Sequence, residues 1–250
     1  MALVPQKIRM SIIDDLLSSA YNLPDSPVNQ LRVGLFWTGV YGAHLGLAST
    51  QNDATCCFAQ EVNGVGALHT KSVSELSQFL RSQHPVEASI GMAALNALIP
   101  IDAFPNIELN ARDVLVERGR GKNVATIGHF PFTDVLRGVA AQTWVLELNP
   151  NPGDVPAERA PELLPQADVI GLTATTLLNG TFENLAKYFP AHALVVMLGP
   201  TTPLSPVLFD YGVSILGGSV VDDPLTVLHY IEQGTALHKI PGLRRVTIAR

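Results

Sequence analysis

The 250-residue sequence predicts an α/β fold, in which a mainly parallel sheet follows a smaller α+β domain. After residue 110 short apolar runs alternate with helical stretches, a pattern typical of βαβ units. Hydrophobic residues make up 47% of the chain and charged residues 15%, yet no apolar run approaches the roughly 18–20 residues of a membrane span. A parallel sheet covered by helices on both faces buries such an apolar excess. We therefore expect two domains, 1–110 and 111–250.

The N-terminal domain is expected to be helix, small meander and two helices. Apolar residues recur at helical spacing within the first 20 residues, which predicts an amphipathic helix. Alternating residues on either side of a glycine-rich segment predict a β-hairpin over 31–50. Two further helices are predicted at 72–81 and 86–99, and the first opens on Ser72 with a Glu three residues later, the pattern of a capping box.

The C-terminal domain is expected to be Rossmann-like. Its apolar runs predict strands at 124–128, 143–149, 167–174, 193–199 and 213–218. Helical stretches are predicted at 133–141, 181–187 and 224–232. Strands that alternate with helices connect by right-handed crossovers, so the sheet should be mainly parallel.

Charge and cysteine usage exclude several function classes. The chain has 16 Lys and Arg against 22 Asp and Glu, a net charge of −6. With no basic run, neither a nucleic acid nor a membrane surface is an expected partner, and a homo-oligomer stays open. Cys56 and Cys57 are adjacent, which argues against a disulfide framework and for a reducing compartment. Because Asp14 and Asp15 interrupt the N-terminal apolar stretch, we expect no signal peptide and a cytoplasmic protein.

Candidate ligand-binding residues lie in the loops that follow the predicted strands. Ligands of open parallel sheets bind beyond the carboxyl ends of the strands, where the strand order reverses. Turn chemistry alone is the alternative explanation for these polar loops. The candidates at this edge are Gly128, His129, Phe130, Pro131, Glu147, Asp154, Thr173, Thr175, Asn179, Thr181, Gly199, Pro200, Thr201, Thr202 and Asp222.

The first two loops carry part of a nucleotide-binding pattern. Gly128 follows the first strand, and Glu147 closes the second strand 147 − 128 = 19 residues later, where an acidic side chain would accept a ribose hydroxyl. Phe130 and Pro131 stand where small residues would let the backbone approach a pyrophosphate. The position therefore favours an adenosine-containing ligand, whereas the missing glycines argue against an ordinary dinucleotide.

The remaining polar residues of these loops suggest an anion or a metal ion. Thr181 or Asn179 is expected to cap the helix that follows, although free amides there would also suit an anion. His129 is a candidate acid–base group or metal ligand, and it is equally explained as a loop histidine with local partners. With the carboxylates of Glu147, Asp154 and Asp222, of which Glu147 and Asp222 are the preferred candidates, it could supply an oxygen and nitrogen site for a transition-metal ion.

Five motifs identify a family resemblance. In chain order they are GHFPF, VLELNP, ADVIGLTATTLLNGT, LGPTTPLSP and GGSVVDD, and they resemble the DUF364 family, which is labelled with a proposed role in heavy-metal chelation. The N-terminal segments WTGVYGAHLGLAST and SIGMAALNA resemble its companion, DUF4213. The resemblance covers roughly residues 10–240. It implies an N-terminal domain similar to that of enolase, a Rossmann-like domain, and a site in the cleft between them.

The resemblance also adds residues that would face the Rossmann-like loops. They are Trp37, Thr38, Ser49, Thr50 and Asn96. Asn96 stands in an otherwise apolar helix, where a buried amide needs partners. The alternative is that Asn96 only ties the two domains together.

Three functions stay open from the sequence. The first is a protein that binds a small molecule or metal complex in the interdomain cleft, with a role in heavy-metal chelation. The second is a transferase or lyase that uses a nucleoside cofactor such as S-adenosylmethionine. The third is a scaffold whose polar loops are only turns. Whether the protein is an enzyme stays open.

Overall fold

The N-terminal part is a small α+β unit built on an antiparallel meander. The computed structural model describes residues 11–52, 61–100 and 110–250. The elements are α1 (Ile12–Ala20), β1 (Gln30–Val33), β2 (Trp37–Tyr41), β3 (Leu45–Ser49), α2 (Val73–Ser77) and α3 (Pro85–Leu98). The predicted hairpin is thus a sheet of three strands in the order β1-β2-β3. The capping box is confirmed: the hydroxyl of Ser72 accepts from the Glu75 amide, and the Glu75 carboxylate accepts from the Ser72 amide.

The C-terminal part contains a seven-stranded, mostly parallel sheet. Its strands are β4 (Asn123–Ile127), β5 (Gln142–Glu147), β6 (Val155–Pro156), β7 (Val169–Thr173), β8 (Leu194–Leu198), β9 (Ile215–Val221) and β10 (Leu243–Ala249). Its helices are α4 (Ala111–Arg118), α5 (Thr133–Val139), α6 (Ala160–Leu163), α7 (Thr175–Leu178), α8 (Phe182–Ala186) and α9 (Pro224–Glu232). The predicted mixed fold class, with a large parallel sheet after a small α+β part, is confirmed.

The strand order creates a switch point beside β4. The sheet runs β10-β9-β8-β7-β4-β5-β6, and β10 is antiparallel to its neighbour β9. From β4 the chain builds outward through β5 and β6, then returns to the other side of β4 to add β7, β8 and β9. This is the order of a Rossmann-like sheet, in which the crevice for ligands lies where the two directions diverge. The carboxyl ends of β4 and β7 flank that crevice.

Some elements escaped the sequence interpretation for identifiable reasons. Helix α4 carries alternating charged and apolar residues without a clear apolar face, and it is held by its N-cap Asn110, whose side chain accepts from the Arg112 amide. Strand β10 carries Arg244 and Arg245 directly after its first residue and is recognisable only through its pairing with β9. Short elements such as α6 and β6 offer too few residues to show a period.

One apolar core runs through both parts. Its buried members include Leu16 of α1 and Ile90 of α3 together with Ile170 and Leu172 of β7 and Phe182 of α8. The predicted division at residue 110 stays a prediction, and residues 101–109 lie outside the described part. Within the described residues, none of the helices has the length and hydrophobicity to cross a membrane.

Strand β3 packs against α3 at backbone distance. A Cβ added to Gly46 would lie 2.1 Å from the carbonyl oxygen of Ala93 and 2.3 Å from the amide nitrogen of Ala97. Both atoms belong to the helix backbone, so rotation of a side chain gives no relief. The hydrogen atom of glycine at this position therefore sets how closely the meander approaches its covering helix.

Gly46→Ala is expected to lower the free energy of unfolding by about 3 kcal/mol or more, because β3 must move away from α3. The matched control is Gly138→Ala, since Gly138 lies near the end of α5 and a Cβ there meets nothing within 4 Å. That change should raise stability by about 0.5–1 kcal/mol. Urea unfolding of both variants measures the two effects. Equal stabilities of the Gly46→Ala variant and the wild type would contradict the close packing.

Candidate functional site

The loop after β4 touches the end of β7 at the switch point. Gly128 has φ of +99°, a conformation that L side chains rarely adopt. A Cβ at Gly128 would lie 2.9 Å from Cγ2 of Thr173. The backbone of Gly128 and the side chain of Thr173 are therefore in close contact at the switch point, and a side chain at position 128 would clash with Thr173.

His129 is oriented by a buried carboxylate. Nδ1 of His129 lies 3.4 Å from Oδ2 of Asp154, and the Asp154 side chain is only 1% exposed while that of His129 is 43% exposed. Asp154 is also held by Arg137, whose Nη2 lies 3.2 Å from Oδ1, and by the Asn151 amide at 3.1 Å from Oδ2. Because Nδ1 faces Asp154, Nε2 is the ring nitrogen left for a ligand.

Asp154 stays ionised despite its burial. Burial raises the pKa of its carboxyl group, but the hydrogen bond from the Asn151 amide and the neighbouring His129 and Arg137 outweigh burial. The pKa of Asp154 therefore lies below its ordinary value. The loop therefore carries a fixed negative charge beside the His129 ring.

Glu147 joins the ends of β4 and β5. Its Oε1 accepts a hydrogen bond of 2.6 Å from the backbone amide of His129. The hydrogen bonds within the described residues leave Oε2 without a protein partner. Glu147 therefore shapes the loop with one oxygen and keeps the other for a ligand, in the place where the sequence analysis expects a ribose contact.

The rest of the first loop is filled by aromatic rings. Phe130 stacks on Phe132 with ring centroids 5.3 Å apart. The Thr133 hydroxyl accepts from the Phe130 amide and donates to the Phe130 carbonyl, and the Thr133 amide also donates to that carbonyl. Pro131 is exposed at the tip of the turn. The turn is closed on itself, so its geometry agrees with the argument against a pyrophosphate at this loop.

The threonines after β7 bond to each other and to the backbone. Oγ1 of Thr173 and Oγ1 of Thr175 are 3.0 Å apart. The Asn179 side-chain oxygen accepts from the Thr181 amide at 3.2 Å and from the Thr181 hydroxyl at 2.7 Å. Thr181 does precede α8, but its side chain makes no capping hydrogen bond. The Asn179 and Thr181 pair therefore builds a turn, as the alternative explanation expects.

The predicted interdomain residues bond across the two parts. Oγ1 of Thr201 accepts from the Ser49 amide at 2.9 Å and donates to Oγ of Ser49 at 3.0 Å. Nδ2 of Asn96 donates to the carbonyl oxygens of Leu47, at 2.8 Å, and Thr201, at 3.2 Å. We call Ser49, Asn96 and Thr201 the interdomain clasp. Asn96 thus ties the two parts together, the alternative left open by the sequence.

Neighbouring residues complete the clasp region. The hydroxyl oxygens of Thr38 and Thr50 are 2.9 Å apart, and Thr38 is fully buried. After β8 a tight turn spans Gly199, with φ of +120°, and Pro200, and it is closed by the Thr202 amide donating to the Gly199 carbonyl. These hydroxyls position the loop after β8 against the meander.

A small cavity of about 30 Å³ remains between the two parts. Its polar lining comes from His44, Asn96, Thr202 and Ser219. Oγ1 of Thr202 is buried and has no hydrogen-bond partner among the described residues. A space of this size holds about one or two water molecules rather than a small-molecule ligand.

Asp222 does not join the first loop. Both of its carboxylate oxygens accept from Nε of Arg244, at 2.8 and 3.0 Å. It follows β9, which lies three strands from β4 in the sheet order, a separation of about 14 Å at the usual strand spacing. In the described ranges no three His, Cys, Asp or Glu side chains come together in a group that could hold a metal ion. The grouping of His129, Glu147 and Asp222 suggested by the sequence is therefore not formed.

Sequence reasoning did not identify the groups that hold Asp154 beside His129. Arg137 lies in the last turn of α5 and reaches back to Asp154 and to the carbonyl oxygen of Gly153. Asn151 supplies only a backbone amide, which no side-chain pattern reveals. Arg137 could have been found from its position near the end of a predicted helix, from which a long side chain can reach a neighbouring loop. Cys56 and Cys57 lie outside the described residues.

Two family models match the chain. One, DUF364, is described as "Putative heavy-metal chelation" and matches residues 110–250, and a second with the same description, DUF4213, matches residues 13–99. An uncharacterized protein of Methanocaldococcus jannaschii is 26% identical over 171 residues, and the match spans 65% of this chain and 65% of that curated relative. The resemblance drawn from the motifs is confirmed.

Solved structures share the fold over nearly the whole chain. A DUF364 protein of unknown function from Desulfitobacterium hafniense superposes with a TM-score of 0.78 at 24% identity, covering 96% of this chain and 98% of its own. Another from Pyrococcus horikoshii gives a TM-score of 0.78 at 21% identity, with the same coverage of each chain. At these identities the likeness concerns the fold.

Asp154→Asn is expected to lower the free energy of unfolding by about 1–3 kcal/mol at pH 7, because charge-assisted hydrogen bonds to a buried carboxylate are lost. Since the folded-state pKa is lowered, the stabilisation is complete above roughly pH 5 and is lost as pH falls through 3.9 and the folded-state pKa. Urea unfolding at pH 7 and pH 3 should show the difference between wild type and variant shrinking in acid.

The matched control is Asp134→Asn, which removes the other carboxylate beside Arg137. The Asp134 side chain is 93% exposed, so its loss should change stability by no more than about 0.5 kcal/mol. A penalty for Asp154→Asn that is the same at both pH values, or that Asp134→Asn matches, would contradict the role of the buried charge.

Proposed function

The chain belongs to the DUF364 family, and we propose that it binds a metal ion already carried by a small chelating molecule, at the carboxyl edge of its parallel sheet. The observation that carries this proposal is the pairing of His129 with Asp154, whose side chain is 1% exposed. Histidines that bind metals generally donate their other ring nitrogen to a carboxylate, which fixes the orientation of the ring. Nδ1 of His129 lies 3.4 Å from Oδ2 of Asp154, so the ring faces the carboxylate with the nitrogen that such a pair would use.

The donor set supports a metal complex rather than a bare ion as cargo. A bare transition-metal ion is held in proteins by three or four side chains, and the described residues do not form such a group. At the loop edge, Nε2 of His129 and Oε2 of Glu147 make no hydrogen bond or ion pair within the part of the chain that the structure describes. A metal that retains its chelator needs only one or two further donors, so this pair fits the complex.

The surroundings of His129 supply the remaining recognition. Gly128 and Thr173 leave backbone and hydroxyl groups at the switch point. Arg137 is bound to Asp154 and is 36% exposed, so it brings positive charge to the same loop. Transition-metal chelators commonly carry carboxylates, and a guanidinium near the site would attract them. We therefore expect anionic complexes to bind more tightly than cationic ones of the same metal.

The experiment uses untagged protein, since a histidine tag would bind the probe. Isothermal titration with nickel(II) nitrilotriacetate, a complex that leaves coordination positions open, should give a Kd of about 100 μM or tighter. His129→Gln should weaken binding by at least about tenfold, because the imidazole nitrogen is lost. The matched control is His192→Gln, at an exposed histidine before β8 and far from the carboxyl edge, which should leave the affinity unchanged.

Two results would count against this function. The first is equal affinity of the wild type and the His129→Gln variant for the nickel complex. The second is tighter binding of free nickel(II) than of the complex, with metal retained in stoichiometric amount after gel filtration, as measured by inductively coupled plasma mass spectrometry. The second result would indicate a bare-ion site and replace the complex as cargo.

A nucleoside ligand is the second candidate function, in the form of a transferase or lyase that uses a cofactor like S-adenosylmethionine. The observation that favours it is the placement of Gly128, with positive φ, beside Thr173 at the switch point, with Glu147 at the end of the neighbouring strand. In Rossmann-like sheets these are the positions of the close backbone approach and of the ribose contact.

Glu147→Gln separates ligand binding from folding. Glutamine keeps an oxygen that accepts from the His129 amide, so the free energy of unfolding should change by no more than about 1 kcal/mol. Binding through Oε2 should weaken because the charge is lost. If a nucleoside is the ligand, S-adenosylmethionine or adenosine at 100 times its Kd should stabilise the wild type by about 2.7 kcal/mol in a thermal-shift assay, and the variant less. No stabilisation by either compound would contradict the nucleoside candidate.

A further inference from the structure

A second, larger cavity lies at the opposite side of the sheet from His129. Its volume is about 380 Å³, within the range of pockets that hold small organic molecules. It opens on the face of the β9 and β10 pair, four strands away from β4, or about 19 Å at the usual strand spacing. No residue of the His129 loop lines it.

Strand pairing places a guanidinium and a hydroxyl together in this cavity. Arg245 of β10 is directly opposite Ser219 of β9 in the antiparallel register, so their side chains share one face of the sheet. His238 and Asn110 complete the polar lining. A cationic fork, a hydroxyl, an imidazole and an amide therefore converge on one space.

The start of α4 packs on β9 beside this cavity. A Cβ at Gly217 would lie 2.5 Å from Cβ of Ala111, so the two elements are in direct contact there. Ser219 follows two residues later on the same face of β9 and lines the cavity, as does Asn110, which precedes α4. The short 3-10 helix Leu237–Lys239 contributes Leu237 and His238 to the lining.

Within the described part of the chain, the cavity is lined by one cationic side chain, Arg245, and by no acidic one. Arg244, the residue before Arg245 on β10, is paired with Asp222, and its Nε lies 2.8 and 3.0 Å from the two carboxylate oxygens. Arg245 has no such ion pair among the described residues, and the described lining of the cavity includes no Asp or Glu. An unpaired guanidinium beside neutral hydrogen-bond donors attracts a carboxylate or a phosphate, which it binds through two parallel hydrogen bonds.

The remaining walls are apolar. Leu237, Ile240 and Leu243 line the cavity beside the polar groups, and Ile240 is buried. Apolar walls with a few convergent polar groups are typical of small-molecule sites. Free inorganic anions would leave these walls in contact with water, so the lining favours an anion that also carries a hydrocarbon part.

We propose that this cavity is a binding site for a small organic anion, with Arg245 and Ser219 holding its carboxylate or phosphate and Leu237, Ile240 and Leu243 packing on its apolar part. The site is separate from the one proposed at His129.

The experiment compares matched probes on the full chain. Benzoate and phenyl phosphate are titrated by ligand-observed NMR against benzamide, which has the same ring without a charge. Both anions should bind with a Kd of about 1 mM or tighter, and at least one should exceed benzamide by about tenfold or more. The stronger of the two anions distinguishes a carboxylate ligand from a phosphate ligand.

Variants assign the binding to this cavity. Arg245→Gln should weaken the preferred anion by about tenfold or more. The matched control is Arg244→Gln on the other face of the same strand, which should leave the affinity within about twofold because that guanidinium is already paired. Circular dichroism melting confirms that both variants are folded, and Ser219→Ala gives a milder second variant.

Three outcomes would overturn the proposal. They are equal binding of the anions and benzamide, equal loss from Arg244→Gln and Arg245→Gln, and unchanged affinity in both Arg245→Gln and Ser219→Ala. His129→Gln should leave anion binding intact. The test of this cavity is therefore independent of the test of the site at His129.

Discussion

Strand β4 pairs in parallel with β5 on one side and with β7 on the other, and the candidate site depends on this double pairing. Both neighbours run in the same direction as β4, with Ile127 in register with Leu146 on one side and Leu172 on the other. Their carboxyl ends therefore open at one edge. The chain adds β5 and β6 on one side of β4 and then adds β7, β8 and β9 on the other side. The loops that follow β4 and β7 therefore lead away from each other, and a crevice remains between them.

The loop beside β4 is organised by electrostatics at short range. A carboxylate with an exposed fraction of 1% would be costly without compensation. Asp154 is compensated by an amide, a guanidinium and an imidazole, and in return it fixes the orientation of that imidazole. The orientation of His129 is thus a consequence of satisfying a buried charge. A carboxylate beside the second ring nitrogen is the arrangement usual for metal-binding histidines, and the function proposed above rests on it.

Polar residues on the other side of the crevice serve assembly of the molecule. Ser49, Asn96 and Thr201 exchange hydrogen bonds between the meander, the helix α3 and the loop after β8. The cavity that remains between the two parts has a volume of about 30 Å³. A polar group in a buried interface must find a partner, and here the partner is protein. The candidate ligand groups therefore concentrate at the ends of β4 and β5 and in the cavity beside β10.

The sequence by itself determined the class of fold and the edge at which to look for function. Apolar runs bounded by turns marked the buried strands of the sheet, because burial on both faces leaves a continuous hydrophobic signal. The capping box at Ser72 was readable because both of its partners are three residues apart. Positions such as His129 and Glu147 followed from strand ends alone.

Only the tertiary structure decided which of these polar residues are free. Nothing in the local sequence distinguishes Asp154 from other polar loop residues, or Asn96 from other polar helix residues. Their partners are distant in sequence or are backbone groups. Strand β10 and the pairing of Arg245 with Ser219 depend on residues that are distant in sequence. Periodicity in the sequence indicates on which face of its own helix or strand a residue lies. Which residues of different elements contact each other depends on the strand register and the sheet order. Sheet order likewise keeps Asp222 away from His129, since β8 and β7 lie between β9 and β4.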